Sequence, residues 1–142
     1  MNVGFYLESL AEHDKLNLII KEVSGNTKVT DVSIFYNAIA PVPANLPCSF
    51  FHVSDMWSFE GTLIVDRIIN VVKAKLIVNK FKTVYYFDKI NGDNIIDILT
   101  HRDKMDLVIV NGEDMESEYI RLTNTKPNQV IKNYENITSI SL

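Results

Sequence analysis

Apolar residues fall along the chain in short blocks, and the spacing inside each block alternates between that of a buried strand and that of an amphipathic helix. Val3 to Leu7 is an unbroken apolar and aromatic run, the pattern of a strand covered on both faces. Ser9-Leu10-Ala11-Glu12 follows at once and has the Ser-x-x-Glu form of a helix capping box. Leu16, Ile19, Ile20 and Val23 then repeat at helical spacing, and Gly25 fits the left-handed position beyond a helix end. Val29 to Tyr36 is β-branched and aromatic and predicts a second strand, closed by an extended loop carrying Pro41, Pro43 and Pro47. Ser49 to Val53 predicts a third strand.

Thr62 to Asn79 is mostly apolar, with Asp66, Asn70 and Lys73 spaced four and three apart, and this spacing predicts one long, nearly buried helix. Thr83 to Phe87 reads as a strand, Asn94 to Thr100 as a short helix, and Leu107 to Val110 as a strand reaching Gly112. Glu113 to Leu122 begins acidic and has Arg121 near its end, the charge order that complements a helix dipole. Gln129 to Lys132 predicts a last strand. Strands alternating with helices, joined by connections too long for hairpins, require parallel pairing. The expected fold is therefore α/β and three-layered: a Rossmann-like, mostly parallel sheet of five or six strands with helices on both faces, as a single domain over residues 1–142.

Composition narrows the function classes. A net charge of -4 lacks the clustered basic residues that neutralise phosphates, so general nucleic-acid binding is not expected. Lys73, Lys75, Lys80 and Lys82 form the densest basic group and are interleaved with apolar residues, the pattern of a solvated helix face. The start of the chain lacks a secretion signal, and charges interrupt the apolar stretch Leu63 to Val78, so a cytoplasmic protein without a membrane span is expected. Cys48 is the single cysteine and the three histidines lie on separate elements; neither a disulfide nor a metal site is expected. Both Gly-rich phosphate-binding patterns are missing, so no nucleotide cofactor is implied.

In an open parallel sheet, ligands bind beyond the carboxyl ends of the strands. There the sequence places His52 and Asp55, a histidine and a carboxylate within one short segment, as candidate base and orienting group. Ser9, Glu12, Asn37, Trp57 and Glu113 are the candidate ligand contacts, hydrogen-bonding groups around one large aromatic ring.

His52-Val53-Ser54-Asp55-Met56-Trp57 ahead of a long helix, then Thr83-Val84-Tyr85-Tyr86-Phe87, resembles the acceptor-side half of GT-B glycosyltransferases. Asp106 to Asn111, Met115 to Leu122 and Gln129 to Asn133 look like the exit from the first domain of those enzymes. The chain departs from them in having no glycine between Ser9 and Glu12 and no second, donor-binding domain. The resemblance implies a stand-alone binding module, not catalytic by itself, with a protein, or a sugar or nucleotide sugar, as what it binds. The alternative it implies is an acceptor-side transferase subunit completed by a protein partner or by a second copy in a homodimer. The chain's texture is also similar to that of small proteins of large tailed phages, which would place it in the host cytoplasm.

Overall fold

The computed structural model describes residues 2–29, 31–77, 80–88 and 95–139. Seven strands form one sheet in the order β3-β2-β1-β4-β5-β6-β7, and every pairing is parallel. They are β1 (Asn2–Ser9), β2 (Asp31–Ala38), β3 (Ser49–His52), β4 (Glu60–Val65), β5 (Lys80–Phe87), β6 (Leu107–Asn111) and β7 (Gln129–Ile131). The helices are α1 (His13–Ser24), α2 (Ile68–Lys75), α3 (Ile95–His101) and α4 (Gly112–Thr123), with a 3-10 turn over Val53–Ser58 between β3 and β4.

Two cores lie on opposite faces of the sheet. On one, Leu16, Ile19 and Val23 of α1 pack against Phe5, Leu7 and Ile34, joined by Tyr134 and Ile137 of the segment after β7. The Tyr134 ring rests on Tyr86 at 4.5 Å between centroids, and the Tyr134 N–H donates to the Tyr86 hydroxyl at 3.4 Å. On the other face, Met56 and Phe59, Ile68, Val71 and Ala74 of α2, Ile98 of α3 and Tyr119 of α4 cover Tyr6, Leu63, Val65, Tyr85 and Phe87. The expected three-layer α/β architecture is present, and β1 lies inside the sheet, as its apolar run requires.

The strand count is seven rather than five or six, because the stretch expected as one helix from Thr62 to Asn79 divides into β4, a turn at Asp66–Arg67 and α2. Leu63, Ile64 and Val65 are buried, packed against both faces, so the strand shows no polar alternation. Gly61 opens it at φ +141°, where a Cβ would stand 2.4 Å from the Asn2 carbonyl oxygen, so only glycine permits this approach of β4 to β1.

Three local expectations also change. The Ser9 hydroxyl accepts from the Ala11 N–H at 3.0 Å and Glu12 precedes the helix without a side-chain cap, so the Ser-x-x-Glu segment forms a turn and no capping box. Gly25 is right-handed at φ -87°. Lys73 and Lys75 end α2, but Lys80 and Lys82 lie on β5, so the four lysines do not share a helix face.

Candidate functional site

The strand order turns at β1 and β4: from β1 the chain runs outward through β2 and β3, then returns to β4 on the other side. Two neighbouring strands whose connections leave in opposite directions open a crevice at their carboxyl ends. A cavity of about 400 Å³ lies there, bounded by the start of α1, the Asp66–Arg67 turn after β4, and Asp88 after β5.

Charge dominates this crevice. Lys15, in the first turn of α1, contacts both Asp66 and Glu12, the latter at 3.4 Å, and Arg67 reaches the same Glu12 oxygen at 3.5 Å. The Asp66 side chain is only 5% exposed, and its second oxygen, Oδ1, has no hydrogen-bond partner among the described residues. Glu12 Oε2 is likewise buried and unpartnered. Burial pushes the Asp66 carboxyl above its ordinary value against the pull of Lys15, and the nearby Glu12 adds to the rise. Burial opposes the charge on Lys15, but Asp66 and Glu12 together outweigh it and hold the ammonium above its ordinary value. A buried carboxylate oxygen left without a donor costs about 1–3 kcal/mol, and a buried ion pair does not by itself repay such a cost. Perturbed, incompletely satisfied charges of this kind concentrate where ligands bind.

Beside the crevice, a second polar group ties the strand ends together. The Tyr6 hydroxyl donates to Asn37 Oδ1 at 2.6 Å, and Asn37 Nδ2 donates to Glu8 at 3.0 Å and to Asn70 at 3.1 Å. Fully buried Asn70 donates in turn to Glu8 at 3.2 Å. Burial drives the Tyr6 hydroxyl up to about 12 although the Asn37 bond opposes it. These four side chains satisfy one another and fix β1, β2 and α2 in register. Past β5 and β6, Asn111 donates to Asp88 and accepts from the Asn133 N–H at 3.0 Å, which anchors the far wall.

Of the residues expected from the sequence, Glu12 lines the crevice. Ser9 and Asn37 end β1 and β2 on the same edge, with their side chains engaged in the turn and the polar group just described. Glu113 is exposed in the first turn of α4, beyond β6. His52 ends β3, two strands from β1, and its Nδ1 lies 2.8 Å from the Ser54 hydroxyl and accepts from the Ser54 N–H. Asp55 and the exposed Trp57 sit on the following 3-10 turn, where Asp55 lines a separate groove with Asn2, Asp31 and Glu60 at the amino ends of the strands. The fold thus gathers Ser9, Glu12 and Asn37 on one edge and directs Asp55 to the other, and no hydrogen bond joins His52 to Asp55 among the described residues.

Lys15, Asp66 and Arg67 belong to the charged lining without having been singled out for it in the sequence. Asp66 and Arg67 stand at the carboxyl end of a strand hidden inside an apparent helix. A usable signal was Gly61 ahead of the β-branched Ile64-Val65 pair, with two charges directly after it.

Comparison with protein families, curated proteins and solved structures gave no match. Among the described residues no cluster of histidine, cysteine or carboxylate side chains could hold a metal ion, and no helix is long and apolar enough to cross a membrane.

Proposed function

We propose that this chain is a ligand-binding module that holds a small polar molecule in the β1–β4 crevice, and that it does not catalyse glycosyl transfer on its own. The observation that carries the reading is the buried, half-satisfied Asp66 beside Lys15 in a cavity at the switch point, where open parallel sheets take their ligands. At about 400 Å³ the cavity falls in the range of small-molecule sites, roughly 300–1,000 Å³. Its wall carries both acceptors and donors, which suits the hydroxyls of a sugar, and the glycosyltransferase resemblance supports a sugar or nucleotide sugar as the class to test. The separation of Asp55 from His52 supports a binding role over a catalytic one.

The test is a thermal-shift screen of the purified chain against neutral sugars, nucleosides, nucleotides and nucleotide sugars, followed by chemical-shift mapping of any hit. A ligand that binds only the folded state raises the melting temperature, by an amount that grows with its concentration. Shifts centred on Glu12, Lys15 and Asp66 are expected. Failure of every compound to raise the melting temperature, or perturbation centred on the groove around Asp55, overturns the reading.

A further inference from the structure

We infer that Asp66 is the group that reads the ligand, and that the ligand is an uncharged molecule presenting adjacent hydroxyls, a vicinal diol, with phosphorylated forms excluded. This rests on the binding role proposed above and goes beyond it by choosing among the ligand classes.

Hydrogen-bond polarity comes first. When ionised, Asp66 and Glu12 can only accept, and in each one oxygen is buried without a partner among the described residues. Both belong to the same cavity wall and share Lys15. What completes the site must therefore bring at least two donors close together. Glu12 is the part free to adjust: it is a quarter exposed and held only by the contacts of 3.4 and 3.5 Å. Donation to Asp66 Oδ1 requires such an adjustment, because that oxygen is buried.

Charge then removes two of the three candidate ligand groups, phosphate, ammonium and hydroxyl. Among the described residues, four carboxylates, Glu12, Asp14, Asp66 and Asp88, line the cavity with Lys15, Arg67 and His13, so the carboxylates outnumber the two permanent cations and a phosphate meets net repulsion in a partly desolvated place. The start of α1 offers it little, since Glu12 and Asp14 already occupy the positive end of the helix dipole. An ammonium would have to approach Asp66 beside Lys15, which is already in contact with that carboxylate. A hydroxyl is repelled by neither sign. It donates to Asp66 or Glu12 and accepts from Lys15 or Arg67, and two hydroxyls on neighbouring carbons serve both carboxylates at once.

The substitution Asp66→Asn tests this at constant shape. Asparagine keeps a carbonyl oxygen for Lys15 but sets an NH₂ donor where the unpartnered acceptor stood, which turns a donating hydroxyl away. Uridine, 2′-deoxyuridine, methyl mannoside, hexylamine and uridine diphosphate glucose are titrated into wild type, Asp66→Asn and the control Lys82→Ala, with binding followed by chemical shifts of crevice amides. The expected result is that uridine and methyl mannoside bind wild type and Lys82→Ala in the crevice. Their affinity falls roughly 10- to 100-fold in Asp66→Asn, the loss of one hydrogen bond to a charged acceptor, and 2′-deoxyuridine, which lacks the diol, binds wild type more weakly than uridine.

Crevice binding that Asp66→Asn leaves unchanged, or that is tightest for hexylamine or uridine diphosphate glucose, overturns the inference and leaves the binding module standing. Absence of crevice binding by every probe overturns both. The uridine and deoxyuridine comparison uses wild type alone, so the inference stays testable even where Asp66→Asn does not fold.

Discussion

Tyr86→Ala should be among the most damaging single truncations of this chain, while Phe51→Ala, at an aromatic position equally suggestive of core in the sequence, should be mild. Tyr86 is fully buried on β5, stacked on Tyr134, and accepts the Tyr134 N–H through its hydroxyl. Cutting a buried aromatic to alanine costs about 3–5 kcal/mol, and loss of the ring pair adds about 0.5–1.5 kcal/mol. Partial collapse of the segment after β7 into the space relieves some of this, so a net loss of about 4 kcal/mol is expected. Phe51 lies on the edge strand β3, 40% exposed, with Phe35 as its ring neighbour at 5.9 Å. Its truncation removes a partly wet contact, and about 1 kcal/mol is expected. In urea, at a slope of about 2 kcal/mol per molar, these become midpoint drops of about 2 M and 0.5 M. Should Tyr86→Ala prove too unstable to measure, Tyr86→Phe removes only the hydroxyl and should cost about 1 kcal/mol. Equal midpoints for the two alanine variants, or a larger drop for Phe51→Ala, would refute the placement of the core beneath the terminal segment.

Gly61→Ala should destabilise by about 3 kcal/mol, combining left-handed backbone strain with the clash against the Asn2 carbonyl, and a change below about 1 kcal/mol in the same assay would show that β4 does not approach β1 as described. Tyr6→Phe leaves Asn37 Oδ1 without its donor and should cost about 1–3 kcal/mol; no measurable loss would mean that the polar group at the strand ends is already open to water. Asp66 gives a pH signature. Its folded pKa lies above the unfolded value of about 3.9, so its contribution is complete below that value and is lost as pH rises through the raised one. Asp66→Asn should accordingly gain on wild type in melting temperature from pH 4 to pH 7, and a difference that stays constant with pH would contradict the burial of that carboxyl.

The α/β class was legible because strands buried on both faces leave apolar blocks that helical periodicity cannot mimic over short lengths, as at Val3 to Leu7 and Thr83 to Phe87. The failure at Thr62 to Asn79 has a physical cause. A central parallel strand loses its two-residue alternation, and Asp66, Asn70 and Lys73 keep helical spacing although Asp66 lies in the turn after β4 while Asn70 and Lys73 belong to α2. The turn at Asp66–Arg67 contains no glycine or proline to mark it. Asp66 and Arg67 on the crevice wall went unread for that reason, whereas Ser9, Glu12 and Asn37 followed from strands whose ends were placed within two residues. Asp55 was drawn to the wrong edge of the sheet because the 3-10 turn after His52 carries the chain away from the carboxyl ends, and a six-residue spacing does not record direction.

Strand order also sets the order in which the sheet can be built as the chain is synthesised. Once β4 has joined β1, residues 2 to 65 hold four adjacent strands, β3-β2-β1-β4, and one outer edge of this half remains open to further growth on the β4 side. Every later strand then adds to that edge in the order it is made, β5, β6 and β7, without displacing a neighbour already paired. Among the strand pairings, the two of longest sequence separation, β2 on β1 and β4 on β1, fall in the first half of the chain, while the segment after β7 closes back onto β1 and α1 last. With β4 in place the remaining strand pairings follow chain order, and the crevice wall from Glu12 to Arg67 is brought together by that same pairing of β4 with β1.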